Sequence, residues 1–266
     1  MRALYQDCLA LWRARSLLWM MARREIAARH AGSAAGMAWA YIQPMLTVAA
    51  YYLVFDVVFA MRLGENAPTR AVGAFLIVGA LPWMAFCDAI SRGMSSLIDS
   101  GGVLQKNPLP PVLFPARAVL ASMAIHLPLI ALVAIAYFPM HHFSVAVLAL
   151  PLLFLAQLLL CGVLAYLLAI LAAAVRDTLQ VVTFFISVGI FLSPVLFPVT
   201  MFPEAWRWAL WINPMSSLVM GYQSVLLSGI WPGAGVWGGI AVWLGVGAWV
   251  LDRLIARSRE TLVDWL

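Results

Sequence analysis

The sequence predicts an all-α integral membrane protein: six transmembrane helices, an N-terminal amphipathic interface helix, and an outer re-entrant helical hairpin between spans 5 and 6. Three observations carry that expectation. Hydrophobic residues make up 65% of the 266-residue chain and charged residues 10%, with a mean hydropathy of +0.97, a balance that places most of the chain in lipid rather than in a soluble core. Apolar stretches recur at the roughly 20-residue length that crosses a hydrocarbon layer. The cations gather in alternate loops, as they do when arginine and lysine are retained on the cytoplasmic side.

Spans are expected near 38–61, 71–94, 114–138, 145–174, 178–199 and 232–252. All are read as helices, because a backbone facing lipid must satisfy its own hydrogen bonds. The alternation of a membrane β-barrel is absent, and runs such as Val145–Val175 are apolar on every face. The chain divides into an interface helix and bend over 1–36 and a transmembrane domain over 37–266.

Before the first span, Leu4, Cys8, Leu11, Leu18, Ala22 and Ile26 fall on one helical face, flanked by Trp12 and Trp19, while most arginines project elsewhere. A basic amphipathic helix of this kind is expected to lie in the membrane surface; the apolar stripe disfavours a solvated basic tail. The Gly32-Ser33-Ala34-Ala35-Gly36 stretch lets the chain bend into span 1. Arginines run to Arg29 and no short apolar core precedes a small-residue cleavage site, so no cleavable signal peptide is expected.

With the N-terminus inside, thirteen of the sixteen cations are cytoplasmic: Arg2, Arg13, Arg15, Arg23, Arg24 and Arg29, then Arg92, Lys106 and Arg117, then Arg176, then Arg253, Arg257 and Arg259. Arg62, Arg70 and Arg207 fall outside. Both termini are therefore expected in the cytoplasm.

Two connecting segments stand apart. In the loop 98–112 between spans 2 and 3, Ser100 is placed to cap a short helix that breaks at Asn107-Pro108. Periodicity alone fits a docking element and an ordinary connection equally well. After span 5, Pro203-Glu204 opens a short helix, with proline at its first position and an acid at the positive end of its dipole. Asn213-Pro214 stops it, and a second run, 215–228, ends at Gly229. A seventh span here would send Arg253, Arg257 and Arg259 outside. A hairpin over 200–229 on the outer face is preferred, with Trp206, Trp208 and Trp211 at headgroup level.

The residues capable of chemistry are few. Cys8, Cys87 and Cys161 are scattered, and His30, His126, His141 and His142 lack ligand spacing with them, so neither a disulfide nor a metal site is expected. The pair His141-His142 reads as a solvated turn. Asp88 and Arg92, four apart, read as a structural ion pair at the inner end of span 2. Asp56 lies toward the outer half of span 1. His126 and Gln157 are the only strongly polar groups expected near mid-membrane, and no inverted repeat is visible, which weighs against an ion-coupled transporter. Convergent carboxylates for a membrane enzyme are missing. The single lysine, Lys106, sits in Leu104-Gln105-Lys106-Asn107-Pro108, without the glycines and hydroxyl of a phosphate-binding loop. Energy for work across a membrane must come from another chain.

Aromatic residues make up 12% of the sequence. Trp39, Trp83, Trp231, Trp237 and Trp265 are expected to anchor the interfaces. Tyr51, Tyr52, Phe55, Phe59, Phe184, Phe185 and Phe191 lie inside spans, as packing bulk or as a lining on which the apolar faces of sugar rings slide.

In order along the chain, Arg23-Arg24, Arg29, Gly32-Ser33, Gly36, Trp39 and Pro44, then Gly79-Ala80-Leu81-Pro82-Trp83, Leu104-Gln105-Lys106-Asn107-Pro108-Leu109-Pro110, Phe114-Pro115, Arg176-Asp177, Ser193-Pro194-Val195-Leu196-Phe197-Pro198, Pro203-Glu204-Ala205-Trp206 and Asn213-Pro214 resemble the permease subunit of ABC-2 type polysaccharide exporters. The resemblance covers essentially the whole chain. Ala28-Arg29-His30 departs from it, since the family more often has an aromatic beside the arginine.

The resemblance implies a homodimer docked on a separate ABC ATPase dimer, which would bind the ATP and magnesium; this chain would carry no cofactor and no catalytic residue. It implies ATPase coupling through Asp99, Ser100, Val103, Leu104, Gln105, Lys106 and Asn107. Arg23, Arg24 and Arg29 would hold a lipid phosphate from the interface helix. Tyr51, Tyr52, Phe55 and Phe184 would line the channel, and Pro203, Glu204, Trp206, Asn213 and Pro214 would belong to a gate hairpin. The implied cargo is a lipid-linked polysaccharide, capsular ahead of O-antigen, crossing a bacterial inner membrane toward periplasmic and outer-membrane export components, with no nucleic acid involved. An ABC-2 exporter of a small molecule such as a drug or haem, or a membrane-bound glycan or lipid transferase, are the alternatives.

A first expected outcome follows from Lys106. The purified chain, free of any partner, hydrolyses no ATP; phosphate release that persists after rigorous removal of contaminating ATPases contradicts it.

Overall fold

Long uncharged runs rich in Leu, Ala and Val can meet their backbone hydrogen bonds only within themselves, and they form the long helices of this chain. The computed structural model describes every residue except His30, Met61, 64–68, Arg70, Pro108, 138–143 and Glu260, together with all described side chains but that of Val263. The expected Pro108 break, the His141-His142 turn, His30 beside Arg29 and the outer position of Arg70 lie outside the described residues. Among the described residues the chain is helical, with no strand and one isolated antiparallel bridge between Arg62 and Ala71.

Among the described residues, ten α-helices run α1 Arg2–Arg13, α2 Arg15–Ala28, α3 Trp39–Tyr51, α4 Val72–Asp99, α5 Gly101–Leu104, α6 Leu113–Tyr137, α7 Ala149–Ala174, α8 Thr178–Gly189, α9 Ser216–Leu226 and α10 Ala234–Ser258. A seven-residue π-helical continuation, Tyr52–Val58, extends α3. A nine-residue 3-10 helix, Glu204–Ile212, precedes α9. Among the described residues, five helical segments are long and apolar enough to cross a membrane: Gly36–Val58, Val72–Asp99, Leu113–Tyr137, Val145–Ala174 and Ala234–Ser258. They match the expected spans 1, 2, 3, 4 and 6, with α4 running five residues and α10 six residues beyond the expected ends.

The expected fifth span differs. Its helix, α8, has 12 residues, about 18 Å at 1.5 Å per residue, short of a hydrocarbon layer of about 30 Å. Beyond Gly189 the chain continues in turns through Leu196, closed by bonds such as Phe191 N–H to the Val188 carbonyl. Pro194 lacks the N–H that would extend the helix.

α4 is the axis of the bundle. It packs against α6 and α7 along its length, and against α3, α8 and α9. Its first turn is held by Asp56, whose Oδ2 accepts the Gly73 N–H at 2.7 Å and whose Oδ1 pairs with Arg62 at 3.4 Å. A Cβ on residue 73 would meet Asp56 Oδ2 at 2.0 Å, so this approach requires glycine. Trp83, expected at an interface, is instead buried against Phe86 and Gly189. It is the twelfth residue of α4 and lies about 17 Å from Val72, far from either end.

Among the described residues the core has two clusters. The larger joins α4, α6, α7, α9 and the start of α10; the smaller joins Leu97, Leu104, Leu113, Phe114, Ile170 and Ile255 at the other end of the bundle. The smaller cluster receives the N-terminal helices. The single expected amphipathic helix is two, broken at Ala14 (φ −96°, ψ 17°). Leu4, Leu11 and Leu18 of the expected stripe pack onto that cluster, Ala22 is buried, and Cys8 is exposed. The apolar face is therefore covered largely by protein. Gly32 and Gly36, at φ +83° and +50°, turn the chain from α2 into α3, conformations that L side chains avoid.

Candidate functional site

Two groups of residues stand out: a charged recess where α2, α3, α4 and α6 meet, and the short segments that cap the two ends of the bundle.

The recess is built around Arg29, which caps the C-terminal end of α2. Its side chain is only 4% exposed. Nη1 donates to Asp88 Oδ2 at 2.7 Å, and Nη2 to Ser122 Oγ at 2.8 Å and to the Ala118 carbonyl at 3.4 Å. Burial lowers the Arg29 pKa from its ordinary value, and the charge of Asp88 opposes that shift. Asp88 also accepts from Arg92 Nε at 2.7 Å, the i,i+4 pair expected from the sequence. One carboxylate thus stands between two guanidiniums. A cavity of about 380 Å³ opens beside them, with Trp39, Gln43, Pro44 and His126 among its walls; His126 Nδ1 lies 2.9 Å from the Ser122 carbonyl. Arg23 and Arg24, placed with Arg29 by the sequence, are instead exposed on α2. Helical spacing explains the split, since they lie five and six residues before Arg29 and do not share its inward position.

At the end of α4 that carries this recess, the segment 99–107 turns back on itself. Ser100 stands at the cap position of α5, but its hydroxyl accepts from Arg117 Nη2 at 3.0 Å and makes no capping bond. α5 has only four residues. Leu104, expected as a docking contact, is 7% exposed and packs within the smaller core cluster, so it has no free face. Val103 is the apolar residue left outward, 46% exposed, among exposed Asp99, Gln105, Lys106 and Asn107.

Segment 203–229 folds back into the bundle. Pro203 precedes the 3-10 helix, Glu204 pairs with Arg207 at 3.3 Å, and Trp206 stacks on Trp208 at 6.2 Å between ring centroids. At the turn, Asn213 Nδ2 donates to the Gly189 carbonyl at 2.9 Å, and its Oδ1 accepts the Met215 N–H at 3.0 Å. Pro214 follows and borders an apolar groove with Phe86, Ile90, Phe184 and Ile212. α9 is buried along nearly all of its length. Tyr222 donates its hydroxyl to Gln157 Oε1 at 3.0 Å, Gln157 Nε2 donates to the Pro82 carbonyl at 2.8 Å, and Gln223 Nε2 donates to the Pro194 carbonyl at 2.6 Å.

The aromatics expected along a channel divide by exposure. Tyr52 and Phe184 are 55% and 63% exposed, whereas Tyr51 and Phe55 are half-buried against the larger core cluster. The rings of Tyr51, Phe55 and Phe59 follow one another at 6.5 and 6.3 Å.

Sequence reasoning missed a second clamp altogether. Asp7 accepts from Tyr166 at 2.8 Å and from Arg259 at 2.9 Å, and Asp252 accepts the Leu4 N–H at 3.0 Å and pairs with the Met1 amine. An acid within an otherwise basic segment was the available signal.

Known proteins resemble this chain over most of its length. The model of the ABC-2 type transporter family matches residues 16–227. The chain is 32% identical to the O-antigen export system permease protein RfbA of Myxococcus xanthus over 231 residues, 84% of this chain and 85% of that protein. It is 24% identical to an RfbA of Klebsiella pneumoniae with the same description, over 80% of this chain and 81% of that one. The polysialic acid transport protein KpsM of Escherichia coli is 24% identical over 77% of this chain and 79% of its own.

The charge accounting around Arg29 sets an expected outcome. Asp88→Leu strands a buried guanidinium and costs about 3–5 kcal/mol, whereas Asp88→Asn keeps an acceptor and costs less. Thermal unfolding of the purified variants, followed by loss of monodisperse protein, checks the order.

Proposed function

The chain belongs to the ABC-2 type transporter membrane family, and from that premise we propose that it is the membrane subunit of an ATP-driven exporter of a lipid-linked polysaccharide. The observation that carries the reading is the near full-length likeness to permeases named for O-antigen and polysialic acid export. The 32% likeness to an O-antigen permease favours an O-antigen type of glycan over the capsular one expected from the sequence.

Six crossings, with α8 and its turns as the fifth, keep thirteen of sixteen cations on one side and both termini in the cytoplasm of an inner-membrane protein. The exposed apolar faces of α3 and α8, with Tyr52 and Phe184, suit a homodimer in which paired faces enclose the path of the glycan. Segment 200–229 is a hairpin returning toward the outer face with its turn at Asn213-Pro214, and it caps that path. Periplasmic and outer-membrane components would receive the glycan. The ATPase dimer, holding ATP and magnesium, docks on 99–107, with exposed Val103 rather than buried Leu104 as the apolar contact.

Val103→Asp is expected to reduce co-purification of the ATPase several-fold, because it places a charge in an apolar contact, while leaving the permease monodisperse. Undiminished co-purification removes 99–107 as the docking element.

The function itself is tested by export. Cells lacking the chromosomal copy should accumulate the lipid-linked glycan inside and recover export when the chain and its ATPase are supplied. Tyr52→Leu and Phe184→Leu retain apolar bulk but remove a ring face, and at least one should slow export with insertion unchanged. Normal rates in both, or no glycan accumulation in the deletion, favour the export of a small molecule instead.

A further inference from the structure

Arg117, in the first turns of α6, reaches two other elements. Its Nη2 donates to Ser100 Oγ at 3.0 Å, at the start of α5, and its Nε lies 3.8 Å from Glu25 Oε2 of α2. The guanidinium rests over the ring of Phe114 at 5.2 Å, and that ring is buried in the smaller core cluster. The fork is therefore held from α6 while its edges face α5 and α2. The two contacts are unequal. The bond to Ser100 is complete. The approach to Glu25 is too long for a hydrogen bond, and Arg117 Nε is buried without a hydrogen-bond partner among the described residues. A buried donor left unpaired is unfavourable, and a closure of about 1 Å would bring the carboxylate to ordinary bonding length.

The surrounding contacts decide what such a closure moves. Glu25 and Arg29 lie four apart on one helical face, and Arg117, Ala118 and Ser122 meet them from α6. Arg29 is within bonding distance of Asp88 and Ser122, so the C-terminal end of α2 is pinned. One turn earlier, the pair at Glu25 stands open. Leu17, Leu18 and Met21 of α2 rest on the smaller cluster, where apolar contact is non-directional and permits sliding. α2 thus has a pivot at Arg29 and a gap at Glu25.

We propose that Arg117 is a positioning residue that links the docking segment to α2: displacement of 99–107 by the partner ATPase passes through Ser100 to the Arg117 fork, which closes on Glu25 and tilts α2 about Arg29. The inference rests on the reading of 99–107 as the docking segment and adds the route by which a movement there reaches another helix. A planar guanidinium presents donors along more than one edge and holds two acceptors in fixed relation, which the single point charge of a lysine does less well. Packed interfaces with two discrete arrangements turn a shift of this size into a larger displacement.

The test uses the complex of permease and ATPase in nanodiscs, with Cys8, Cys87 and Cys161 replaced by alanine and an environment-sensitive fluorophore on Ala27→Cys, an exposed position of α2. Binding of a non-hydrolysable ATP analogue is expected to shift the emission of this parent. Arg117→Gln should lose most of that shift, Arg117→Lys should recover part of it, and Glu25→Leu should reproduce the loss from the other side of the gap. Each variant should remain monodisperse, retain the ATPase on co-purification and keep the parent's emission without nucleotide. An undiminished shift in Arg117→Gln or in Glu25→Leu overturns the proposal, as does a parent that binds ATPase and analogue without any shift. Altered nucleotide-free emission or lost co-purification in Arg117→Gln makes Arg117 a support of the resting fold and overturns it as well. No glycan is present in the assay. A normal shift in a complex that exports no glycan therefore removes the export reading alone, and a lost shift in a parent that exports glycan removes the Arg117 link alone.

Discussion

A buried guanidinium cannot stand unpaired, and the position of Arg29 governs much of this molecule. Removing such a charge from water costs several kcal/mol unless an acid and further acceptors surround it. Here Asp88 of α4 and Ser122 of α6 supply them, so the end of α2 is fixed to the two most closely packed helices of the bundle. The Gly32 and Gly36 bend follows at once, and with it the place where α3 begins and where Trp39 and Gln43 stand. The cavity beside Asp88 results from that constraint.

The second clamp, at Asp7, holds the opposite end of the helix pair. Tyr166 of α7 and Arg259 beyond α10 both reach it, and Asp252 takes the Leu4 amide. Between the two clamps the apolar side of α1 and α2 rests on the smaller core cluster. The other side presents Tyr5, Trp12 and Trp19 with five exposed arginines, and Arg15 lies over the Trp12 ring at 5.3 Å. The pair is thus tied to α4, α6, α7 and α10 together.

Much of the fold was legible in the sequence because lipid imposes length and apolarity directly. The five long helices, the glycine bend, the Asp88–Arg92 pair and the stop at Asn213-Pro214 each rest on local chemistry within a few residues. What was not legible depends on partners distant in the chain. Periodicity marks the apolar face of 1–28 but does not say whether lipid or protein covers it. Leu104 and Val103 look equally fit for docking until the former is seen buried in the smaller core cluster, to which Leu113 and Ile255 also belong. Arg29 reads like Arg23 and Arg24 until Asp88, 59 positions away, is seen to receive it. Trp83 looks like an interface anchor by type, although the expected span 71–94 already sets it near mid-helix, where it is buried. The shortness of α8 was in principle readable from Pro194, but its apolar continuation concealed it.

The buried chain of bonds from Tyr222 through Gln157 to the Pro82 carbonyl has a bearing on motion. In a dry interior each of these groups is satisfied only by the next, and separating α9 from α7 would expose a phenol and an amide to surroundings without replacements. Such a displacement becomes affordable when water arrives in their place, since a bridging water is nearly equivalent to the bond it replaces. A wet interior would therefore loosen the hold of α9 on α7, and a dry one keeps it.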